Sequence, residues 1–306
     1  MSVALTSVAL TETSHSAGIG GPITVGMPQL ALNGLSEHWL LKECGHRHWL
    51  MLAELFGQPL PDFRDSEGAT LYATFTGLSL AGARLDEVAE HDRLAIDGRI
   101  VRTSRTQYLS IQTVHANGRP VGTVTLQSIF LKRAVIDDNL SVLRALPYPA
   151  TGVAPILQRD LPFAVLCQCF RRDDWEEHWG FRRTARQPDR EVVIDPCPAA
   201  DFNGAGFLYF ASFPAILDRA DWALERAAGM NWVTTDRDLF YYGNINPGDR
   251  VIVRRCGADD EADQRVRWFD ILRESDGRRI ADGFHKVSHS AISRFKERSP
   301  EDRKRL

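Results

Sequence analysis

The sequence predicts an α+β fold built twice, each copy an antiparallel sheet wrapped around one long helix. Three observations predict it. Residues 26–45, GMPQLALNGLSEHWLLKECG, set an Asn33-Gly34 turn ahead of a helix. About 170 residues later, 201–220, DFNGAGFLYFASFPAILDRA, repeat that arrangement around Asn203-Gly204. Behind each helix come strand-like runs closed by matching turns, Asn117-Gly118-Arg119 in one copy and Asp276-Gly277-Arg278 in the other. A period this long excludes a solenoid and fits two similar units fused in one chain.

Taken in order, residues 1–21 are rich in Ser, Thr and Gly and lack a basic and apolar leader pattern, so a flexible tail is expected there. The first unit is expected over 22–150. Ser36 is placed to cap a helix that carries Trp39, Leu40, Glu43 and the run from His46 to Leu50, and that stops at Phe56-Gly57. Strand composition follows at Thr70–Leu80, Arg93–Thr103, Thr106–His115 and Pro120–Arg133, with Asn117-Gly118 as a hairpin signal between the last two. Prolines and the charged run from Arg171 to Glu177 mark 151–190 as a linker with a surface excursion, in which Cys167 and Cys169 alternate as on a strand. The second unit is expected over 191–292. It comprises a strand at Val192–Asp195, a helix from the Asn203 turn to Ala228, and strands at Trp232–Tyr242, Asp249–Cys256, Gln264–Glu274 and Arg278–Ser288. Asp259–Asp263 reads as a solvated loop, and 293–306 as a charged tail. One helix in a wrapping antiparallel sheet, twice over, is a double hot-dog. Two such sheets can join edge to edge and so hide strands that would otherwise invite aggregation.

The chain has 306 residues, 43% hydrophobic and 25% charged, with a formal net charge of -3. That balance gives no electrostatic case for nucleic acid or a membrane surface, and no apolar run approaches the roughly 20 residues of a spanning helix. Five cysteines, an odd number, point to free thiols in a reducing cytoplasm. Cys44 and His48 share a helix face, but His46 points away and nothing completes a ligand set, so no metal is expected.

Chemistry is expected where an Asn-Gly turn meets a helix start, because several backbone N–H groups then converge on one space. A carboxylate, phosphate or enolate oxygen fits there. Asn33, Gly34, Leu35 and Ser36 mark that place in the first unit, and Asn203 and Gly204 in the second. Ser36 reads first as a cap, since no Ser-His-acid arrangement is visible. Asn203 has two readings of equal standing, a turn former or an amide donor to an oxyanion. The arginines at 171, 172, 182, 183 and 186 read as a solvated face, with CoA phosphates or an acidic carrier protein as the alternative.

Residues 201–213 resemble the acyl-CoA thioesterase signature of the hydroxybenzoyl-CoA type, D-x-D-x-A-G-x-x-Y-F, in which the second acid is the catalytic carboxylate. Here that position is Asn203, and an amide is no general base. The segments MPQL (27–30), NGLSEHWLLKECG (33–45) and LYATFT (71–76) resemble the LnmK-like family of bifunctional acyltransferase/decarboxylases of polyketide biosynthesis, which are double hot-dogs. That resemblance implies decarboxylation of methylmalonyl-CoA and transfer of the propionyl group to the phosphopantetheine of an acyl carrier protein. It needs no cofactor beyond the CoA thioester substrate. It maps the family's catalytic tyrosine onto Tyr72, with Asn33, Ser36 and Asn203 as further catalytic candidates and Gly34, Leu35, Gly204 and Thr74 as substrate-binding ones. A thioester enolate must be held without a nearby carboxylate, and asparagine at both 33 and 203 suits this. An unperturbed phenol is under about one per cent ionised at neutral pH, which favours a hydrogen-bonding or proton-donor role for Tyr72; an acyl-tyrosine stays open. Its expected partner in the second copy is Phe240 or Tyr241, with one working site per chain. A homodimer is expected on fold analogy. The alternatives are a thioesterase or dehydratase that uses Glu37 or Asp201 as its acid, and a hot-dog that only binds acyl carrier protein.

Overall fold

The structure, a computed structural model, describes residues 21–149, 161–225 and 232–290. The expected tails and the last turn of the second helix, towards Ala228, lie outside the described residues. In chain order the elements are β1 (Ile23–Thr24), α1 (Glu37–Leu55), β2 (Tyr72–Ala81), β3 (Arg93–Arg102), β4 (Gln107–Ala116), β5 (Arg119–Arg133) and β6 (Val142–Arg144). There follow α2 (Pro162–Arg172), β7 (Arg190–Ile194), α3 (Ser212–Leu224), β8 (Trp232–Tyr241), β9 (Val251–Asp260), β10 (Gln264–Arg273) and β11 (Arg279–His289). The strands form one eleven-stranded sheet in the order β1-β3-β4-β5-β2-β8-β11-β10-β9-β7, with β6 added to β5. Each half is an antiparallel sheet around its own helix, and β2 and β8 join them edge to edge. The fold is a double hot-dog.

The first helix forms as its sequence directs. Ser36 Oγ accepts a hydrogen bond from Trp39 N at 3.2 Å, and Glu37 occupies the first turn, where a negative charge suits the helix dipole. Leu40, Leu41 and Cys44 on α1 and Phe213, Ile216 and Leu217 on α3 bury themselves in one continuous core with Leu78, Val124, Leu239 and Phe269 of the sheet. His48 lies in that layer between the hydroxyls of Ser110, at 2.7 Å, and Ser128, at 2.8 Å. Burial there pushes its pKa down to about 3, so the ring stays neutral and serves as a buried hydrogen-bonding strut.

The opposite face of the second sheet is covered by the segment expected to be a linker. Cys167 and Cys169 lie on a helix, not a strand: Pro162 occupies the first turn of α2, where its missing N–H costs nothing. Phe170 of α2 stacks on Phe240 of β8 at 3.7 Å between centroids and 4° between planes, and Trp175, Trp268 and Phe284 complete the cluster. β9 also runs past its expected end at Cys256. A bulge between Arg255 and Gly257 carries the strand on to Asp260, so Asp259 and Asp260 belong to it. A Cβ on Gly257 would lie 2.6 Å from the Phe181 ring, which is why glycine stands there.

β2 and β8 pair only from Gly77 to Leu80, against Arg237 to Phe240. That register corrects the expected partner of Tyr72. About the pseudo-twofold axis through the middle of this antiparallel ladder, Tyr72 at the start of β2 corresponds to Trp232 at the start of β8. Tyr241 instead sits at the same end of the seam as Tyr72, across from it. α2 lies over this junction, with Cys167 Sγ only 2.3 Å from where a Cβ on Gly77 would be. Gly77→Val is therefore expected to destabilise the protein by about 1–3 kcal/mol in denaturant unfolding, with Cys167→Ala in the same chain recovering part of the loss. A Gly77→Val protein as stable as the parent would contradict the placement of α2.

Candidate active site

Beyond Gly77 and Phe240 the two central strands part company. β2 continues to Tyr72 paired only with β5, and β8 continues to Tyr241 paired only with β11. The gap opens into connected cavities. The inner one, of about 50 Å³, is walled by Phe75, Phe207, Leu208, Phe210 and Phe213, with Tyr72, Thr74, Asn203 and Asn244 among its polar groups. The outer one, of about 320 Å³, shares Thr74, Phe75, Phe207, Tyr241 and Asn244, and is bounded by Ile129, Leu131, Val142, Arg144 and Arg171. A side pocket extends the cleft past Trp49, Tyr72, Gly204 and Tyr209 towards Asp62.

Tyr72 stands between the inner cavity and the side pocket. Its ring meets Phe207 edge to face at 5.2 Å, and the Arg133 guanidinium lies 5.2 Å from its centroid with Nη1 3.5 Å from the phenol oxygen. Arg133 is itself held. Its Nε donates to Asn139 Oδ1 at 3.0 Å, its Nη2 donates to Asn139 and to the carbonyl of Ala205, and its plane covers Phe207 at 4.0 Å. Asn139 is 2% exposed and uses its amide nitrogen on the carbonyls of Gly206 and Ile245, both at 2.7 Å. One buried amide thus ties the loop after β5 to two loops of the second unit. Trp49 Nε1, buried at the cleft wall, has no protein acceptor among the described residues.

Asn203 belongs to the cleft, but its carbonyl oxygen is committed, accepting from Ala205 N at 3.0 Å and Phe207 N at 3.1 Å. Gly204 lines the side pocket. The helix does not begin at this turn as expected. α3 starts at Ser212, and the intervening loop supplies Phe207, Leu208, Tyr209 and Phe210 to the cleft. Gly45 of α1 makes room for the Phe210 ring, which lies 2.6 Å from where its Cβ would be.

The first Asn-Gly turn lies elsewhere. A Cβ on Gly34 would stand 2.1 Å from the carbonyl oxygen of Leu85, so the turn is packed tightly on the chain after β2. Leu35 is buried in the core, Ser36 caps α1, and none of Asn33, Gly34, Leu35 or Ser36 lines the cleft. The structure therefore brings together Tyr72, Thr74, Asn203 and Gly204, and separates them from the other four. At that far end Ala83 N donates to Thr235 O at 2.7 Å, which closes the seam.

Neither candidate acid reaches the cleft. Glu37 pairs with the fully buried Arg237 at 2.6 Å, and burial raises its pKa. Asp201 pairs with Arg219 at 2.8 Å and accepts from Cys197 N at 2.9 Å. Among the described lining residues the one carboxylate is Asp62, exposed and paired with Arg64 at 2.9 Å. Burial raises the phenols of Tyr209, to about 12, and Tyr241, whose hydroxyl donates to Phe210 O at 3.1 Å.

No family model matches the chain, and no curated protein matches it. Solved structures do. The 12:0-ACP thioesterase of Umbellularia californica superposes with a TM-score of 0.58 at 10% identity, over 88% of this chain and 93% of that one. An acyl-ACP thioesterase of Bacteroides thetaiotaomicron gives 0.52 at 12% identity, over 88% and 96%. At such identities the likeness is one of fold.

Sequence reasoning missed Arg133, Asn139, Asn244 and the 205–211 loop. Only the register Tyr72↔Leu131 brings the end of β5 beside Tyr72, and register is invisible in one sequence. Replacing Asn139 by Leu strands two buried carbonyls and is expected to cost about 1–3 kcal/mol. It should also accelerate hydrogen exchange at Phe207 N, which the 205–207 loop protects through Asn203. Unchanged exchange would show that Asn139 does not hold that loop.

Proposed function

We propose that this chain decarboxylates a malonyl-type CoA thioester, methylmalonyl-CoA in the first instance, and passes the resulting propionyl group to the phosphopantetheine thiol of an acyl carrier protein. One observation carries the reading. The inner cleft offers a phenol, a threonine hydroxyl, amides and aromatic walls, and no carboxylate. A site without an acid does not repel an acyl group that bears its own negative charge.

In this reaction the bond between Cα and the carboxylate breaks, carbon dioxide leaves, and the electron pair moves onto the thioester oxygen as an enolate. Tyr72 O–H is the donor we assign to that oxygen, with Arg133 lending positive charge beside the phenol. Protonation at Cα then gives the propionyl thioester, and the carrier's thiol displaces the CoA thiol at its carbonyl. Aromatic walls leave the departing carboxylate with little to stabilise it before it leaves, which favours its loss. Held by Arg133, the Tyr72 hydroxyl suits a donor role, and the proposal does not require an acyl-tyrosine.

A second reading, hydrolysis of an acyl thioester, draws support from the neighbours of like fold, which are named thioesterases. It would need a water activated without Glu37 or Asp201, since both are paired outside the cleft.

Incubation with methylmalonyl-CoA and a phosphopantetheinylated carrier protein separates the two. Carbon dioxide and propionyl-carrier are expected, whereas free acid with an unloaded carrier would establish hydrolysis. Tyr72→Phe is expected to slow carbon dioxide release by about a hundredfold with little change in thermal stability. Turnover at the parental rate would remove Tyr72 from the mechanism.

A further inference from the structure

Two arginines at the outer end of the cleft have no role in the chemistry above. Arg171 is the penultimate residue of α2, and its neighbour Phe170 is clamped on Phe240, so its position over the seam is fixed by packing. Its Nη1 reaches the carbonyl of Tyr241 at 3.5 Å, at the point where β8 leaves β2. Arg144 comes from the opposite wall. β6 pairs with β5 so that Arg144 stands against Leu131, and alternation along the strand turns Val142 and Arg144 to the same side; both line the cleft. Both arginine side chains reach solvent.

Of the remaining arginines of the expected basic cluster, Arg172 lines none of the cavities and the other three are occupied. Arg186 is paired with Asp270 at 3.1 Å and Asp282 at 2.8 Å, Arg183 with Asp173 at 3.5 Å, and Arg182 with Glu177 at 3.6 Å. By contrast, neither Arg144 nor Arg171 has a carboxylate partner among the described residues. The nearby Asp282 is taken up by Arg186, by Tyr242 O–H at 2.8 Å and by Trp268 Nε1 at 3.2 Å. Partial burial, followed by the charges of Arg144 and Arg278, holds Arg171 below the usual arginine range. Like charges gathered at a cavity mouth without a counter-ion are a cost that an incoming anion removes.

We propose that Arg144 and Arg171 form a phosphate subsite that grips the phosphopantetheine arm of the thioester at the outer mouth of the cleft. The proposal rests on the acyl-thioester reading and adds which end of the substrate lies where. The acyl group occupies the aromatic inner cavity beside Tyr72, and the arm runs out through the gap between β2 and β8. The substrate's carboxylate is the competing anion. An ion pair with it would stabilise the ground state and oppose its loss, so the arginines are assigned to the phosphate. Guanidinium groups suit this because their planar donors match phosphate oxygens two at a time.

The test is calorimetric titration of the whole chain with S-propionyl-phosphopantetheine and with S-propionyl-pantetheine, which lacks the phosphate. The wild type is expected to bind the phosphorylated thioester at least about tenfold more tightly. The Arg144→Gln/Arg171→Gln protein should bind both equally, at the wild-type affinity for the unphosphorylated one. Arg182→Gln, at an exposed position paired outside the cleft, is the surface-arginine control and should keep the phosphate preference. A double variant that retains the preference overturns the subsite. So does one that loses affinity for both thioesters at unchanged melting temperature, because the arginines would then meet the pantetheine or the acyl group. Equal binding of both thioesters by the wild type overturns the subsite alone, whereas binding of neither overturns the acyl-thioester reading with it. Selective loss of methylmalonyl-pantetheine but not propionyl-pantetheine in the variant would assign the arginines to the carboxylate and likewise overturn the proposal.

Discussion

The ladder that joins the two sheets is four residue pairs long, and its shortness shapes everything around it. A longer ladder would have carried β2 and β8 side by side to their ends and left no opening. A shorter one would have left two sheets with little to hold them. Where it stops, after Gly77 and Phe240, the backbones diverge and the space between them is lined rather than filled. The same place is where α2 crosses the junction, and it can do so because Gly77 has no side chain to lift it away. The pairing thus ties the halves together and its interruption creates the cleft.

The opening would collapse or gape without a second tie across it. Asn139 supplies that tie with a single amide that bonds at its oxygen to Arg133 and at its nitrogen to two carbonyls of the other unit. Every polar atom of this amide is used, which is what a buried amide requires. Arg133 is thereby fixed over Phe207 and beside Tyr72, so a structural device and the candidate reactive group share one set of bonds. The Asn203 turn is a further part of this frame, because its oxygen orders the loop that carries Phe207.

Much of the fold was legible in the sequence because its signals are local. Ser36 ahead of an apolar periodic run, Asn117-Gly118 between alternating strands, and the recurrence of both patterns in the second half each report short-range preferences. The strands they delimit fall within a few residues of their expected ends, apart from β9, where Cys256 bulges and the strand runs on to Asp260. α2 was missed because PFAVLCQCFRR alternates like a strand and opens on proline, while its helical state is fixed by Phe240, Trp268 and Phe284 beneath it. The site was half legible. Tyr72 and Asn203 reach the cleft, but the two Asn-Gly turns look alike only in sequence. One is pressed against Leu85 and the other is followed by a loop that has no counterpart in the first copy. Such differences arise from contacts far apart in the chain, which periodicity and turn chemistry do not record.

The sealed turn at Gly34 has a consequence for how a duplicated protein can specialise. In a pair of identical subunits, a residue that closes one crevice closes its mirror image as well, so neither can be given up alone. Fusion removes that constraint. Here the far end of the seam is bolted by a backbone bond from Ala83 to Thr235, and its turn is committed to packing. The near end meanwhile received an inserted aromatic loop and a cationic rim. The molecule thus devotes one half of its symmetry to holding itself together, while the other half opens into the cleft.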